Sequence, residues 1–234
     1  RQPVAIIVRY GGVSRKVIEA TPSLRVISKH GTGIDTIDTK AAQAHGVAVR
    51  AAAGANAPAV AEHTWALILA CAKSVIQLDA RMRAGFWDKS THKSLELRGR
   101  TLGLVGFGAI AKLVALTGTA MGMRVLAYDP FAKGEVAGVE LASLDTVLTQ
   151  SDVLSLHCPL VPENRKMINA LSLARMKAGA ILVNTARGGL IDEAALANAL
   201  RSGHLRSAGL DSFEQEPLTA PHAFQNIANC ILSP

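Results

Sequence analysis

The sequence predicts an α/β fold, a doubly wound and mainly parallel sheet with a second, smaller α/β domain. Three observations lead there. Short runs rich in β-branched residues alternate with helical patterns along the whole chain. The stretch RTLGLVGFGAIAKLVALTGTAMGMRVLAYD packs strand, glycine turn, helix and strand into about 30 residues. The polar residues Asp129, His157, Arg187, Asp211 and Glu216 follow predicted strands, where doubly wound sheets place their ligands.

The bulk composition fits this class and excludes others. With 234 residues, 49% hydrophobic and 18% charged, the chain can order one large or two small domains. The net charge of +7 is spread over scattered lysines and arginines, with no basic cluster longer than segments such as RSGHLR, so no nucleic-acid partner is expected. Cys71, Cys158 and Cys230 lie far apart and are odd in number. That spacing suits neither a metal site nor a disulfide framework and favours a reducing cytoplasm. No apolar run approaches the ~20 residues of a membrane span, and the opening residues lack signal-peptide anatomy.

The elements follow in order. Residues 1–56 hold strands near VAIIVR, LRVIS and VAVR, separated by SRKVIEA and DTIDTKAAQAHG. Three strands make a small, poorly covered sheet, since a domain of ~60 residues buries only ~60% of its unfolded surface. This first domain therefore reads as partial, with further N-terminal residues expected. Residues 57–234 form the larger domain. It starts with one long bridging helix from about Pro58 to Ala84, proline suiting the first turn. Its strands read LGLVG, RVLAYD, DVLSLH, AILVN, SAGLD and CILS, taken as strands 1 to 6 of the order 3-2-1-4-5-6. That order puts His157, after DVLSLH, on the adenosine half of the sheet. No solenoid repeat or low-complexity tract is present.

GFGAIA, residues 106–111, matches G-x-G-x-x-G/A between a strand and a helix. Gly106 permits the tight turn. Gly108 lets the backbone approach a pyrophosphate that faces free N–H groups at the helix N-terminus, and Ala111 supplies the small third residue. Asp129 ends the next strand, roughly 20 residues on, where a carboxylate can accept hydrogen bonds from an adenosine ribose. The same charge repels a 2′-phosphate, so NAD is expected over NADP.

Arg187 sits between AILVN and the helix start LIDEAALANAL, with two glycines after it. Its planar, permanently charged fork can hold a carboxylate bidentately and direct a donor at a neighbouring carbonyl oxygen. The plainer reading is an arginine that pairs with Asp192 or caps nearby carbonyls. Glu216 follows the adjacent strand and can share a cleft with Arg187, where it would orient and charge a histidine. The proton donor itself is not settled by the residues. His157 lies on the wrong half of the assumed sheet, and His63 with Glu62 reads as serving packing and the helix dipole. His222 falls in an irregular loop, and His30 borders GTG in the first domain.

Taken together, GTGIDTID, NAPAVAEHTWALILA, LGLVGFGAIA, AYDP, LHCPLVPENRKMIN, MKAGAILVNTARGGLIDEAAL and AGLDSFEQEP resemble the D-isomer-specific 2-hydroxyacid dehydrogenase family over nearly the whole chain. That family includes D-3-phosphoglycerate dehydrogenases and hydroxypyruvate reductases. The resemblance implies a Rossmann NAD-binding domain at 57–234 and a flavodoxin-like substrate-binding domain at 1–56. It implies that Arg187 binds the substrate carboxylate and carbonyl, that Glu216 is the partner of a catalytic histidine, and that Asp211 lies near the nicotinamide amide. That histidine would directly follow Pro234. Candidate cofactor-binding residues are Gly106, Gly108, Ala109, Ile110, Asp129, His157, Cys158, Pro159, Thr185, Ala186 and Asp211. Candidate substrate-binding residues are Arg9, Lys29, Thr32, Gly33 and Arg187, the first two for a phosphate or other polar tail and the glycine loop for a carboxylate. Thr36 departs from the family, which often has Asn there.

The implied activity is hydride transfer between NAD(H) and a small D-2-hydroxy or 2-keto acid of phosphoglycerate, hydroxypyruvate or glyoxylate type. It would occur in a cleft between two domains hinged near Asn56 and Arg98, and a homodimer is implied as well. The alternatives are an NAD-sensing binding protein resembling the C-terminal-binding-protein corepressors, and a formate dehydrogenase, a group that lacks an acid where Glu216 stands.

Overall fold

The computed structural model describes residues 2–234, which form two compact units, one ending at Pro58 and one running from Ala59 to Pro234. The first contains β1 (Ala5–Val8), α1 (Arg15–Glu19), β2 (Val26–Lys29), α2 (Thr39–Ala44) and β3 (Ala48–Ala51). Its three strands are parallel in the order β1-β2-β3, with Ile6 opposite Ile27 and Ile27 opposite Val49. Val8, Ile18, Ile27 and Ile37 form its core. Asp38 starts α2 by accepting the Ala41 N–H at 2.8 Å, as an N-cap does. Ile7 on the edge strand is 81% exposed, so this sheet is poorly covered, as its size predicts.

From Ala59 on, α3 (Ala57–Lys73) belongs to the second unit, where its apolar side chains Trp65, Leu67 and Ile68 are buried. The sequence pattern suggests one helix to Ala84; the chain instead breaks at Ser74, and α4 (Val75–Arg83) continues at a bend of 58°. Ser74 has φ 52°, a left-handed conformation that ends a right-handed helix without proline or glycine. Propensity did not signal it. Helix α4 buries none of its residues and is held instead by Gln77 Nε2, which donates to Ala228 O at 2.7 Å. No single helix among the described residues is long and apolar enough to cross a membrane.

The large sheet comprises β4 (Thr101–Val105), β5 (Arg124–Tyr128), β6 (Val139–Leu141), β7 (Val153–Leu156), β8 (Ala180–Asn184), β9 (Leu205–Leu210) and β10 (Cys230–Leu232). Helices α5 (Ala109–Ala120), α6 (Leu144–Gln150), α7 (Ala170–Arg175) and α8 (Glu193–Arg201) alternate with these strands. All strands are parallel in the order β10-β9-β8-β7-β4-β5-β6. The order corrects the expected one. The three-residue strand β6, VEL, is too short to show a period and takes the third place of the wound sheet. DVLSLH, strand β7, therefore pairs with β4 on the other side, and His157 stands at the switch point rather than on the adenosine half.

The central strands read as unbroken apolar runs because both faces are covered. Val125, Ala127, Ile181 and Val183 point into the core beneath α3 and α5, while Leu126, Leu154, Leu156 and Leu182 point into the opposite one. Burying each such leucine fully is worth about 1.5–3 kcal/mol. Switch-point geometry places the loops after β4, β5, β7, β8 and β9 along one edge.

Candidate active site

The turn after β4 is shaped by what a side chain would strike. Gly106 has φ 91°, and a Cβ there would lie 2.6–2.8 Å from the backbone of His157 and Cys158. The glycine thus serves both the turn and the close approach of the β7 loop. Gly108 starts α5, and no atom lies within 4 Å of the position its Cβ would take. The first intrahelical bond is Lys112 N–H to Gly108 O at 3.1 Å, so the N–H groups of Ala109 and Ile110 meet an open space at the positive end of a 12-residue helix. Ala111 is fully buried against the sheet.

Asp129 bridges this turn to the end of β5. Its Oδ2 accepts the Phe107 N–H and its Oδ1 the Phe131 N–H, both at 2.8 Å. A carboxylate oxygen has a second lone pair, so the fixed group can still accept from a ribose hydroxyl. Open glycine, helix N-terminus and pinned carboxylate together fit a dinucleotide.

His157 Nε2 lies 2.9 Å from Ser155 Oγ, and burial pushes its imidazole down to about 4, which leaves it neutral at pH 7. Burial pushes the Cys158 thiol up to about 11, with the Asp129 charge adding to it. Both therefore act as uncharged walls at the switch point. Pro159, the next residue, is exposed.

Arg187 follows β8 in extended conformation. The residue that shapes its turn is Asn184, fully buried at the strand end. Its Oδ1 accepts the Ala186 N–H at 3.0 Å, its Nδ2 donates to Arg187 O at 2.9 Å, and its own carbonyl accepts the Asp211 N–H at 2.9 Å. One buried amide thus sets both flanks of the arginine. The half-buried Arg187 donates from Nη1 to Ala186 O at 2.7 Å, so the carbonyl-capping part of the plainer reading is realised. Asp192 caps α8 through the Ala195 N–H at 3.1 Å.

Helix α3 reaches the same strand ends. Thr64 Oγ1 donates to Val60 O at 2.8 Å and lies 2.9 Å from Thr185 Oγ1. Its one proton is spent on Val60, so Thr185 is the donor between the two hydroxyls. His63, read from the sequence as a packing residue, has Nε2 3.2 Å from Asp211 Oδ1, although the approach falls outside hydrogen-bond geometry. Burial raises the Asp211 carboxyl above its ordinary value; His63 opposes that rise and Glu216 adds to it. Glu216 folds back on its own loop, its Oε1 accepting the Phe213 N–H at 3.0 Å.

Arg187 and Glu216 line one cavity of about 210 Å³ with Leu160, Arg165, Gly188, Gly189, Phe213 and Glu214. A second cavity of about 380 Å³ opens beside Asp211, Glu216 and Pro234. The sequence brought Arg187 and Glu216 together through strand order, and the structure places them so.

Residues 65–234 match the family described as D-isomer specific 2-hydroxyacid dehydrogenase, NAD binding domain. The chain belongs to the D-isomer specific 2-hydroxyacid dehydrogenase family. It is 42% identical over 225 residues to the D-3-phosphoglycerate dehydrogenase of Mycobacterium leprae, covering 95% of this chain and 42% of that protein. It is 45% identical over 207 residues to the hydroxypyruvate reductase of Thermotoga maritima, 88% of this chain and 68% of that one. The chain thus spans less than half the length of the phosphoglycerate dehydrogenase. Among solved structures, the D-lactate dehydrogenase of Aquifex aeolicus complexed with NAD and lactic acid superposes with a TM-score of 0.91 at 32% identity, over all of this chain and 76% of that one.

The second unit, which matches the family's NAD-binding domain, carries Gly106 and Gly108 in the turn between β4 and α5 and Asp129 just after β5. The first unit has polar contacts of its own. Within it, Lys29 Nζ donates to Arg9 O at 2.6 Å and lies 3.4 Å from Thr36 Oγ1. Thr32 Oγ1 donates to Asn56 Oδ1 at 2.7 Å, Gly31 has φ 125°, and Gly33 sits two residues on in the same loop. Asn184 and Thr64 are the residues that the sequence alone did not single out, and His63 reads from it as a packing residue. Each lay inside a quoted motif; an Asn at a strand end before a charged residue was the available signal.

Proposed function

We propose that this protein is an NAD-dependent dehydrogenase that interconverts a small D-2-hydroxy acid and its 2-keto acid. The observation that carries the proposal is the shared cavity of Arg187 and Glu216 at the ends of the neighbouring strands β8 and β9, on the sheet edge that holds the dinucleotide turn. NAD supplies the hydride acceptor and donor. Arg187 grips the carboxylate of the acid and polarises the adjacent carbonyl oxygen, because its fork stays charged at any working pH. Glu216, anchored through one oxygen to Phe213 N–H, keeps the other for a histidine that would deliver the proton. Such general acid help is typically worth ~10² to 10⁴-fold. Neutral His157 and Cys158 exclude competing charge from the cofactor side.

The names of the relatives, a D-3-phosphoglycerate dehydrogenase and a hydroxypyruvate reductase, support a substrate of that class. The test is NADH oxidation with hydroxypyruvate, glyoxylate and phosphohydroxypyruvate. Turnover of one or more supports the reading; none, with NADH bound, would refute it.

The same reading includes a homodimer in the cytoplasm. Helix α4 and the segment after it leave Val75, Ile76, Met82, Phe86 and Trp87 between 51% and 72% exposed, an apolar surface that a soluble monomer rarely shows. Cys71, Cys158 and Cys230 are free thiols, which suits a reducing compartment.

A further inference from the structure

Two loops must keep Arg187 and Glu216 in register, and a side chain outside the motif logic joins them. A Cβ on Gly188 would fall 1.9 Å from Phe213 C and 2.4 Å from Glu214 N, so the arginine loop lies flat on the backbone of the glutamate loop. Glu214 fixes that contact from both ends. Its N–H donates to Glu193 Oε1, at the start of α8, at 2.7 Å. Its carboxylate accepts from Arg165 Nη2 at 2.8 Å and lies 3.3 Å from Lys166 Nζ, both on the loop after β7. Lys166 in turn donates its N–H to Gly189 O at 2.8 Å while holding a left-handed φ of 51°. Three loops, after β7, β8 and β9, thus meet at Glu214, two residues before Glu216.

We infer that Glu214 is a positioning residue: the Arg165–Glu214–Lys166 bridge and the Glu193 contact hold the loops of Arg187 and Glu216 at their working separation. The inference rests on the proposed dehydrogenase reading for its kinetic consequence only. The bridge is partly open to solvent, with 56% of the Arg165 side chain and 31% of the Glu214 side chain exposed, so salt weakens it. The alternative is an ordinary surface ion pair, which contributes little.

The test compares Glu214→Ala, Glu214→Gln, Arg165→Ala and the Arg165→Ala/Glu214→Ala pair with Gln215→Ala, a control on the exposed neighbour. Misplacing reacting groups by about 1 Å can cost on the order of 10²-fold in rate; Glu214→Ala is expected to lose about tenfold in kcat with the KM for NADH unchanged. Glu214→Gln, which keeps an acceptor for Arg165, recovers most of the loss, and the double variant is no slower than Glu214→Ala because both remove one bridge. Amide hydrogen exchange of Gly188–Leu190 and Phe213–Glu216 quickens in Glu214→Ala and stays at the wild-type rate in Gln215→Ala. The exchange needs no turnover, so it decides the positioning role even if no 2-keto acid is reduced, a result that would sink the dehydrogenase reading alone. Should the alanine variant not fold, wild type is compared with Glu214→Gln at low and raised ionic strength: exchange in both loops quickens with salt in wild type and much less in Glu214→Gln, and an equal salt response overturns the inference. Exchange in both loops equal to wild type, or kcat no different from Gln215→Ala, overturns the inference.

Discussion

His63 Nε2 lies 3.2 Å from Asp211 Oδ1, which brings the early turns of α3 beside the end of β9. Even with this partner, burial and the nearby Glu216 keep the Asp211 carboxyl above its ordinary value of 3.8. A carboxyl whose folded pKa is raised binds its proton more tightly in the native state. It therefore costs stability as pH rises from about its unfolded value through the raised folded one. Asp211→Asn is expected to unfold at a higher temperature than wild type at pH 7. The gap should close below about pH 4, where both forms are neutral. Melting curves across pH 3–8 check it; a constant gap would contradict the raised carboxyl.

Asp129 predicts cofactor choice. Replacing a charged hydrogen-bond acceptor costs about 1.5–3 kcal/mol, so Asp129→Ala should weaken NADH binding by about 10 to 100-fold. Removal of the negative charge should also narrow the preference over NADPH. Calorimetric titration with both cofactors measures this, and an unchanged preference would rule against the ribose role.

Asn184 predicts a coupled loss. Its buried amide satisfies Ala186 N–H and Arg187 O, and leaving such groups unpaired costs about 1–3 kcal/mol. Asn184→Ala should lower stability by that amount in urea unfolding and reduce turnover further than the stability loss explains. Full activity in the folded variant would show that Arg187 needs no such support.

Much of this was legible in the sequence, for identifiable reasons. β4, β7 and β8 are buried on both faces and announce themselves as apolar runs, and Gly106 with Asp129 has a fixed spacing. The break at Ser74 was not legible, because a left-handed serine has no propensity signature and α4 lacks a buried face to register. β6 was missed because three residues carry no period, and that omission misplaced His157. Glu214 was invisible for another reason: its partners, Arg165 and Glu193, lie 49 and 21 residues away and meet only through the loop packing at Gly188.

The apolar surface of α4 and its continuation predicts the assembly. Ile76→Glu with Trp87→Glu should convert a dimer to monomer in analytical ultracentrifugation while leaving the melting of the nucleotide unit near wild type, since neither side chain is buried. A wild-type monomer would contradict the assembly.

The most direct measurement is the rate of NADH oxidation with 2-keto acids by wild type, Arg187→Lys and Arg187→Ala. A bidentate carboxylate grip is specific to the guanidinium fork. Losing it from the transition state is expected to cut kcat/KM by about 10²-fold or more in both variants, lysine included, with NADH affinity unchanged. Turnover that survives Arg187→Ala would contradict the placement of the substrate at the end of β8, and with it the central claim.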